Sequence, residues 1–489
     1  MDAEQHLPYI YTCLPDPPVS DIARLAARRA ARRAAPDHGV DHISGLSDAL
    51  LHDIVSRLPF KDAARTAVLA TRWRRVWLSA PLVVVDNHLL DHCPPARADA
   101  PAVTAAVSRV LAAHPGPFRC VHLVCTPMDS GRAKLKRWLR LMAAKGVQEL
   151  VLVNRPCPRE VPLPGTLFRI ATLTRLYVGI WKFPDVASLG DASFPNLREL
   201  GILSVVLENG DVEAVVARSP VLEILNIQGS MKGLSLRLDS QSLRCVQICD
   251  SVMESVVMVD TPRLKRLILY KVRGSLNPAS GLRTGINIAN APNLKAFGYL
   301  EPGKHAFEAG GTIIMYGVKP SASTMFTSVT KLSLNVRFGV HEDAKMVPTF
   351  LKCFPNVSSL HIRCERCDEP TGKLELKFWD EVGPIVSIML RIEIMTIREF
   401  RGEEGEIAFV KYFLQNARVL RHAVFIFPNP DLSSISRAKG RSIAGNLTSL
   451  TWGSTQGCGI MAYGSADPEG GRPWCFRTGA DFSRDPFCW

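Results

Sequence analysis

Ten times between residues 118 and 362 the chain repeats one spacing: an apolar residue, a second three positions on, and a third two positions after that. The units are Phe118/Val121/Leu123, Val147/Leu150/Leu152, Leu173/Leu176/Val178, Leu197/Leu200/Ile202, Leu222/Leu225/Ile227, Leu243/Val246/Ile248, Leu264/Leu267/Leu269, Leu294/Phe297/Tyr299, Val329/Leu332/Leu334 and Val357/Leu360/Ile362. Their first positions lie 21 to 35 residues apart. Many are introduced by a proline two residues ahead, as at Pro195, Pro220, Pro262, Pro292 and Pro355. Three apolar positions with this offset suit a short strand whose alternate residues point inward, and a unit so small buries its apolar face only against the next unit. The spacing therefore predicts a solenoid with a parallel strand face and return segments on the outside. One return is legible as a helix over Asp211–Arg218, with Val212, Val215 and Val216 on one face and Pro220 beyond its end.

A second feature precedes the repeats. In DHISGLSDALLHDIVSRLPFKDAARTAVLATRWRRVWL, from Asp41 to Leu78, Leu46, Leu50, Leu51, Ile54, Val55 and Leu58 fall along one side of a helix. Ser47 is placed to cap it, Asp48 to meet its positive end, and Pro59 to stop it. Ala63, Ala64, Ala67 and Val68 then make a narrow apolar face, and Trp73, Val76 and Trp77 repeat helical spacing, with Trp73 the expected central aromatic. Three short helices are predicted. So few residues cannot bury enough apolar surface to stand alone, so the large side chains need cover from another domain or another protein.

Composition narrows the function classes. The 489 residues are 47% hydrophobic and 21% charged, a folded profile with room for two or three domains. Apolar windows such as Ile385–Ile397 are broken by arginine and glutamate, so no membrane span is expected. The first residues lack a secretory apolar core, which points to the cytoplasm or nucleus, and the 13 cysteines, without framework spacing, read as reduced thiols. The net charge of +13 is spread out, apart from Arg24, Arg28, Arg29, Arg32 and Arg33, and Arg72, Arg74 and Arg75. The first run reads as a frayed helix and the second as the solvated side of a tryptophan face, so no nucleic acid is expected. Cys364 and Cys367, with Cys353 and His361 nearby, invite a zinc reading, but strand alternation turns His361 away from Leu360 and Ile362. Phosphate-loop, metalloprotease and serine-elbow motifs do not occur, so no catalytic residue, metal or cofactor is assigned.

The stretch ISGLSDALLHDIVSRLPFKDAARTAVLATRWRRVW resembles a plant F-box in its apolar and tryptophan positions. The resemblance implies docking to a Skp-type adaptor, and through it to a cullin and a ubiquitin-conjugating enzyme, with Leu46, Leu50, Leu51, Ile54, Leu58, Pro59, Val68 and Trp73 carrying or bracing the contact. Leu46-Ser47-Asp48 departs from the family's Leu-Pro-Asp, which is expected to weaken the adaptor contact somewhat. The repeats, irregular and without an asparagine ladder, resemble the leucine-rich repeats of the same proteins. Phe354-Pro355-Asn356-Val357, two apolar strands near Leu374 and Ile392, Glu406–Gln415 and His422–Phe427 resemble the FBD-type region that follows them.

The expected architecture is α/β: a small three-helix F-box, an irregular leucine-rich-repeat solenoid with a parallel strand face, and an FBD-like α+β cap. The divisions read 1–37 flexible leader, 38–85 F-box, 86–100 linker, 101–368 repeats, 369–430 FBD-like region, and 431–489 glycine-rich disordered tail. The expected function is a non-catalytic substrate-recognition subunit of a cullin ubiquitin ligase, with the repeats holding an unidentified protein target. The rival is a repeat scaffold without ligase recruitment. The long spacings between Leu269 and Val357, above all Gly303–Thr324, mark the expected target-contact loops.

Overall fold

The computed structural model describes residues 7–19, 43, 45–90, 100–128, 132–155, 161–276, 281–319, 321–366, 378–428, 445, 458–464 and 474–488. The arginine run at 24–33, Cys367, the strand expected near Leu374 and residues 431–444 lie outside them. The chain forms two compact units, Met1–Leu222 and Glu223–Trp489.

The first unit begins with α1 (Leu7–Cys13), which buries Leu7, Ile10 and Cys13. That corrects the flexible-leader reading at its start, since these three residues share one helical face and find cover. Three helices follow: α2 (Asp48–Ser56), α3 (Phe60–Thr66) and α4 (Thr71–Ser79). The Leu50 amide donates to Ser47 Oγ at 3.4 Å, the cap that the sequence predicts. Directly beyond α4 the chain enters β1 (Leu82–Val85), the first of five parallel strands. The others are β2 (Phe118–Leu123), β3 (Glu149–Val153), β4 (Arg175–Gly179) and β5 (Glu199–Leu203). Helices α5 (Ala100–Ala113), α6 (Arg132–Ala144) and α7 (Asp211–Ala217) belong to the same unit.

Two boundaries therefore differ from the sequence reading. The helical module runs straight into a strand of the repeat sheet. The expected linker, for its part, opens on a buried anchor. Asp86 is buried and accepts hydrogen bonds from the Cys125 and Thr126 amides and the Thr126 hydroxyl at 2.8–2.9 Å. Those donors compensate a carboxyl that burial alone would make costly.

The second unit carries a long parallel sheet. Its strands are β6 (Ile224–Gln228), β8 (Cys245–Cys249), β10 (Arg266–Tyr270), β12 (Ala296–Leu300), β15 (Lys331–Val336), β16 (Ser359–Cys364), β17 (Ile394–Arg398), β18 (His422–Phe427) and β19 (Gly459–Gly464). Register confirms the repeat at its middle positions, while at one third position the expectation is corrected: a register shift puts Leu300 beside Leu334 and turns Tyr299 to the other face, against Trp474 and Phe487. Leu225, Val246, Leu267, Phe297, Leu332 and Leu360, the middle residues of successive units, are paired in one row across the sheet. The first residue of every unit in the chain is fully buried. The row continues through Met395 and Ala423, so Ile392/Met395/Ile397 and Leu420/Ala423/Phe425 are two further units. The FBD-like region thus extends the same sheet: α8 (His341–Cys353) is the return of the last repeat before it, and α9 (Phe378–Glu381), α10 (Val386–Leu390) and α11 (Glu404–Asn416) are its own return segments.

Between residues 234 and 313 the returns are strands instead. β7 (Leu234–Asp239), β9 (Met253–Asp260), β11 (Thr284–Ile288) and β13 (His305–Ala309) form a second parallel sheet, closed by β14 (Thr312–Ile313) running antiparallel. Gly303–Thr324 divides into two parts: Phe307 in β13 is fully buried and stacks on Phe354 at 5.9 Å, whereas Ile313, Met315 and Tyr316 beyond it are 54%, 59% and 56% exposed, so the expected target-contact segment is core at its start and largely open beyond it. The strand ends also share a turn: the residue after the strand is left-handed at Ile180, Ser204, Asp250, Lys271 and Glu399, with φ between 43° and 61°. Such a backbone costs a non-glycine residue about 1 kcal/mol or more, so repeated tertiary context must hold it.

Candidate functional site

The helical module divides its apolar side chains into two sets. Leu51 and Val55 of α2, Pro59, Ala63 of α3 and Val76 of α4 are buried, and Pro59 forms a bridge with Val83 of β1. Leu50 and Ile54 stand on the opposite flank of α2, 52% and 40% exposed, and Val68 and Leu69, just past α3, are 85% and 65% exposed. Positions 50 and 51 differ by about 100° around a helix, so the flank with Leu51 and Val55 can be covered while the flank with Leu50 and Ile54 faces water. Leu46, Leu58 and Trp73 are half-buried. Of the eight residues named from the sequence, Leu50, Ile54 and Val68 are therefore placed to touch a partner, while Leu51 and Pro59 can only brace. Leu69 was missed because it lies between helices, where periodicity is silent.

Arginine ties the module together. Arg72 pairs with Asp48 at 2.8 Å and also donates to the Leu46 carbonyl, which fixes the approach to α2 that proline fixes in other sequences of this pattern. The tryptophan that docks on the repeats is Trp77, not Trp73. Its ring meets His114 edge-on at 5.0 Å, and His114 in turn packs against Phe118 at 5.2 Å.

A second surface lies in the second unit. Alternation sends the apolar row one way and Gln247, Arg266, Tyr270, Lys331, His361 and Arg398 the other. Residues 474–488, including α12 (Phe476–Ala480), are packed on these side chains. The expectation of a disordered tail is corrected over this segment. Trp474 donates from Nε1 to Gln247 Oε1 at 3.1 Å, and Gln247 Nε2 donates to the Phe476 carbonyl at 3.0 Å. Arg266 donates to the carbonyls of Gly479 at 2.7 Å and Arg484 at 2.6 Å, with Phe482 beneath its guanidinium at 4.9 Å. Asp485 sits 3.3 Å from His361 and 3.6 Å from Lys331. Burial pushes the Asp485 carboxyl up, but the hydrogen bond and charge of His361, the Phe487 amide and Lys331 outweigh it and hold the group at about 2. Periodicity could not find this segment, because it makes no repeat.

His361, Asp485 and Cys488 bring a nitrogen, an oxygen and a sulfur within 4.8 Å of one another. Lys331 and Arg398 lie beside the same groups, and their positive charge opposes a bound cation and suits the ion pair seen. The zinc set that the sequence invites is not assembled: His361 faces away from buried Cys364, whose thiol burial pushes well up, and Cys367 lies outside the described residues. Among the described residues no helix is long and apolar enough to cross a membrane.

Comparison with known proteins meets this architecture in three places. The F-box domain family matches residues 43–84, the repeats of the family described as "FBD-associated F-box protein At5g56370, LRR repeats" match 135–362, and the FBD family matches 380–425. The chain carries the domains of the F-box/FBD/LRR-repeat proteins. Relatives agree along most of the length. An Arabidopsis thaliana F-box/FBD/LRR-repeat protein, At5g22700, is 27% identical over 79% of this chain and 92% of its own. Another, At5g22660, is 25% identical over 78% and 89%, and the Arabidopsis F-box/LRR-repeat protein 13 is 24% identical over 78% and 88%. In this chain the exposed residues of α2 and the α3–α4 turn belong to the F-box match, and β17 and most of β18 to the FBD match.

Proposed function

We propose that the protein is a substrate-recognition subunit of a cullin ubiquitin ligase, whose F-box holds a Skp-type adaptor and whose repeats hold the protein to be modified. The observation that carries this reading is the bare apolar set Leu50, Ile54, Val68 and Leu69 on a module that has already satisfied its inner face. Side chains of that size left in water cost free energy until a partner covers them, and F-box domains generally bind adaptors of this class. Leu51, Pro59 and Val76 support the surface from beneath; Leu46, Leu58 and Trp73 border it. The chain supplies recognition, and ubiquitin transfer belongs to other subunits.

The test is capture of a Skp-type adaptor by the full chain and by Leu50→Asp and Val68→Asp variants. Both side chains are exposed, so the folded state should keep its melting temperature while capture falls at least about tenfold, which is about 1.4 kcal/mol. Undiminished capture by both variants would remove adaptor docking, and a scaffold without ligase recruitment would take its place.

A further inference from the structure

On the face of the second unit that looks away from the apolar row sit residues 474–488 of the chain itself. The interaction differs from the rest of the sheet. Residues 474–488 add no strand; they are gripped by side chains that reach main-chain oxygens, Gln247 to Phe476 and Arg266 to Gly479 and Arg484. Recognition of main-chain carbonyls by fixed side chains tolerates many sequences, whereas aromatic slots set the preference. Trp474 fills such a slot between Tyr270 and Tyr299, at 6.2 Å and 6.0 Å, and Phe487 a second one against Tyr299 and His361, at 5.3 Å and 5.5 Å. Asp485 answers the positive charge between them. The apolar row that holds the sheet together lies on the opposite side, so the sheet does not need the tail for its core.

We propose that residues 474–488 are a ligand in cis, and that the target of this chain is a protein segment of the same make-up and the same compact, turn-rich shape, aromatic side chains on either side of an aspartate, which takes the face when the tail leaves it. The proposal rests on the substrate-recognition reading and gives it a target chemistry and a closed state. Displacement requires only that the free segment outcompete a tethered one, whose advantage is its high local concentration.

Gly479 provides a clean probe. A Cβ at this position would overlap Gln247 Oε1 and lie 2.8 Å from the Trp474 ring, so a larger residue excludes the docked tail without touching the face itself. The experiment measures, by fluorescence anisotropy, binding of a labelled synthetic peptide of residues 474–488 to the wild-type full chain and to a Gly479→Leu full chain, with adaptor capture recorded for both. The expected result is peptide binding at least about tenfold tighter by the variant, with adaptor capture equal in the two proteins. Equal or absent peptide binding overturns the proposal while leaving the adaptor reading to its own measurement. A variant that no longer folds makes the tail part of the core and overturns it as well. Hydrogen exchange on the unaltered chain gives an independent decision: amides of residues 476–480 should open at least about a hundredfold more readily than those of β8 and β10, and equal protection refutes a departing tail.

Discussion

His114 shows how one side chain can make two elements depend on each other. It lies after α5 and is buried among Phe60, Trp77 and Phe118, with Lys145 donating to its carbonyl. Burial and then the Lys145 charge push its imidazole down to about 4. The folded value is below the unfolded one of about 6.5, so the neutral ring's contribution is complete above about pH 6.5 and is lost as the pH falls toward about 4. Between about pH 7.5 and 5 the melting temperature of the wild-type chain should drop more than that of a His114→Phe variant, since the phenyl ring keeps the packing and cannot titrate. Parallel pH dependence in the two proteins would show that His114 does not titrate in this range. In the sequence His114 is only a histidine ahead of Pro115-Gly116-Pro117; its environment needed the fold.

At the scale of elements, α4 is where the helical module and the repeats become one structure. Trp73 was the expected pillar because it begins the Trp73/Val76/Trp77 pattern, yet both tryptophans are half-buried and it is the Trp77 ring that meets His114 of the repeats. Trp77→Ala should destabilise the first unit by about 3 kcal/mol, through the cavity left against His114, and Trp73→Ala by clearly less. Denaturant unfolding of the two full-length variants compares them, and a Trp73→Ala cost equal to or above that of Trp77→Ala would contradict the assignment. Cover from a neighbouring domain is therefore what the module's inner face receives, while its outer face stays bare. Helix periodicity reports that a residue is on an apolar stripe; it does not report which flank of the stripe is covered.

Across the whole molecule, the FBD-like region works as further repeat units. Phe338, ahead of α8, stacks on Phe409 of α11 at 5.1 Å, and β17 pairs with β16 along five residues from Ser359 to Arg363. A chain ending at residue 366 would bare that edge and that ring together. It should therefore be largely insoluble or bind a hydrophobic dye strongly, since terminal units of a repeat array need a finished outer surface. A soluble, cooperatively folding product of that length would show that the FBD-like strands are an accessory rather than the end of the array.

The sequence by itself determined the local rules of this protein. The three-then-two spacing set the ten repeat strands and, Tyr299 apart, their inward residues, because a pleated strand stacked on its own copies admits few other patterns, and capping and proline placement set the start of α2 and both ends of α7 within a residue. Three matters were decided only by tertiary structure: which flank of α2 is bare, that the returns at 234–313 are strands with Phe307 as core, and that residues 474–488 lie on the second face of the sheet. Each depends on groups far apart in the chain, such as Arg266 and the Gly479 carbonyl, and no local period encodes a contact made once.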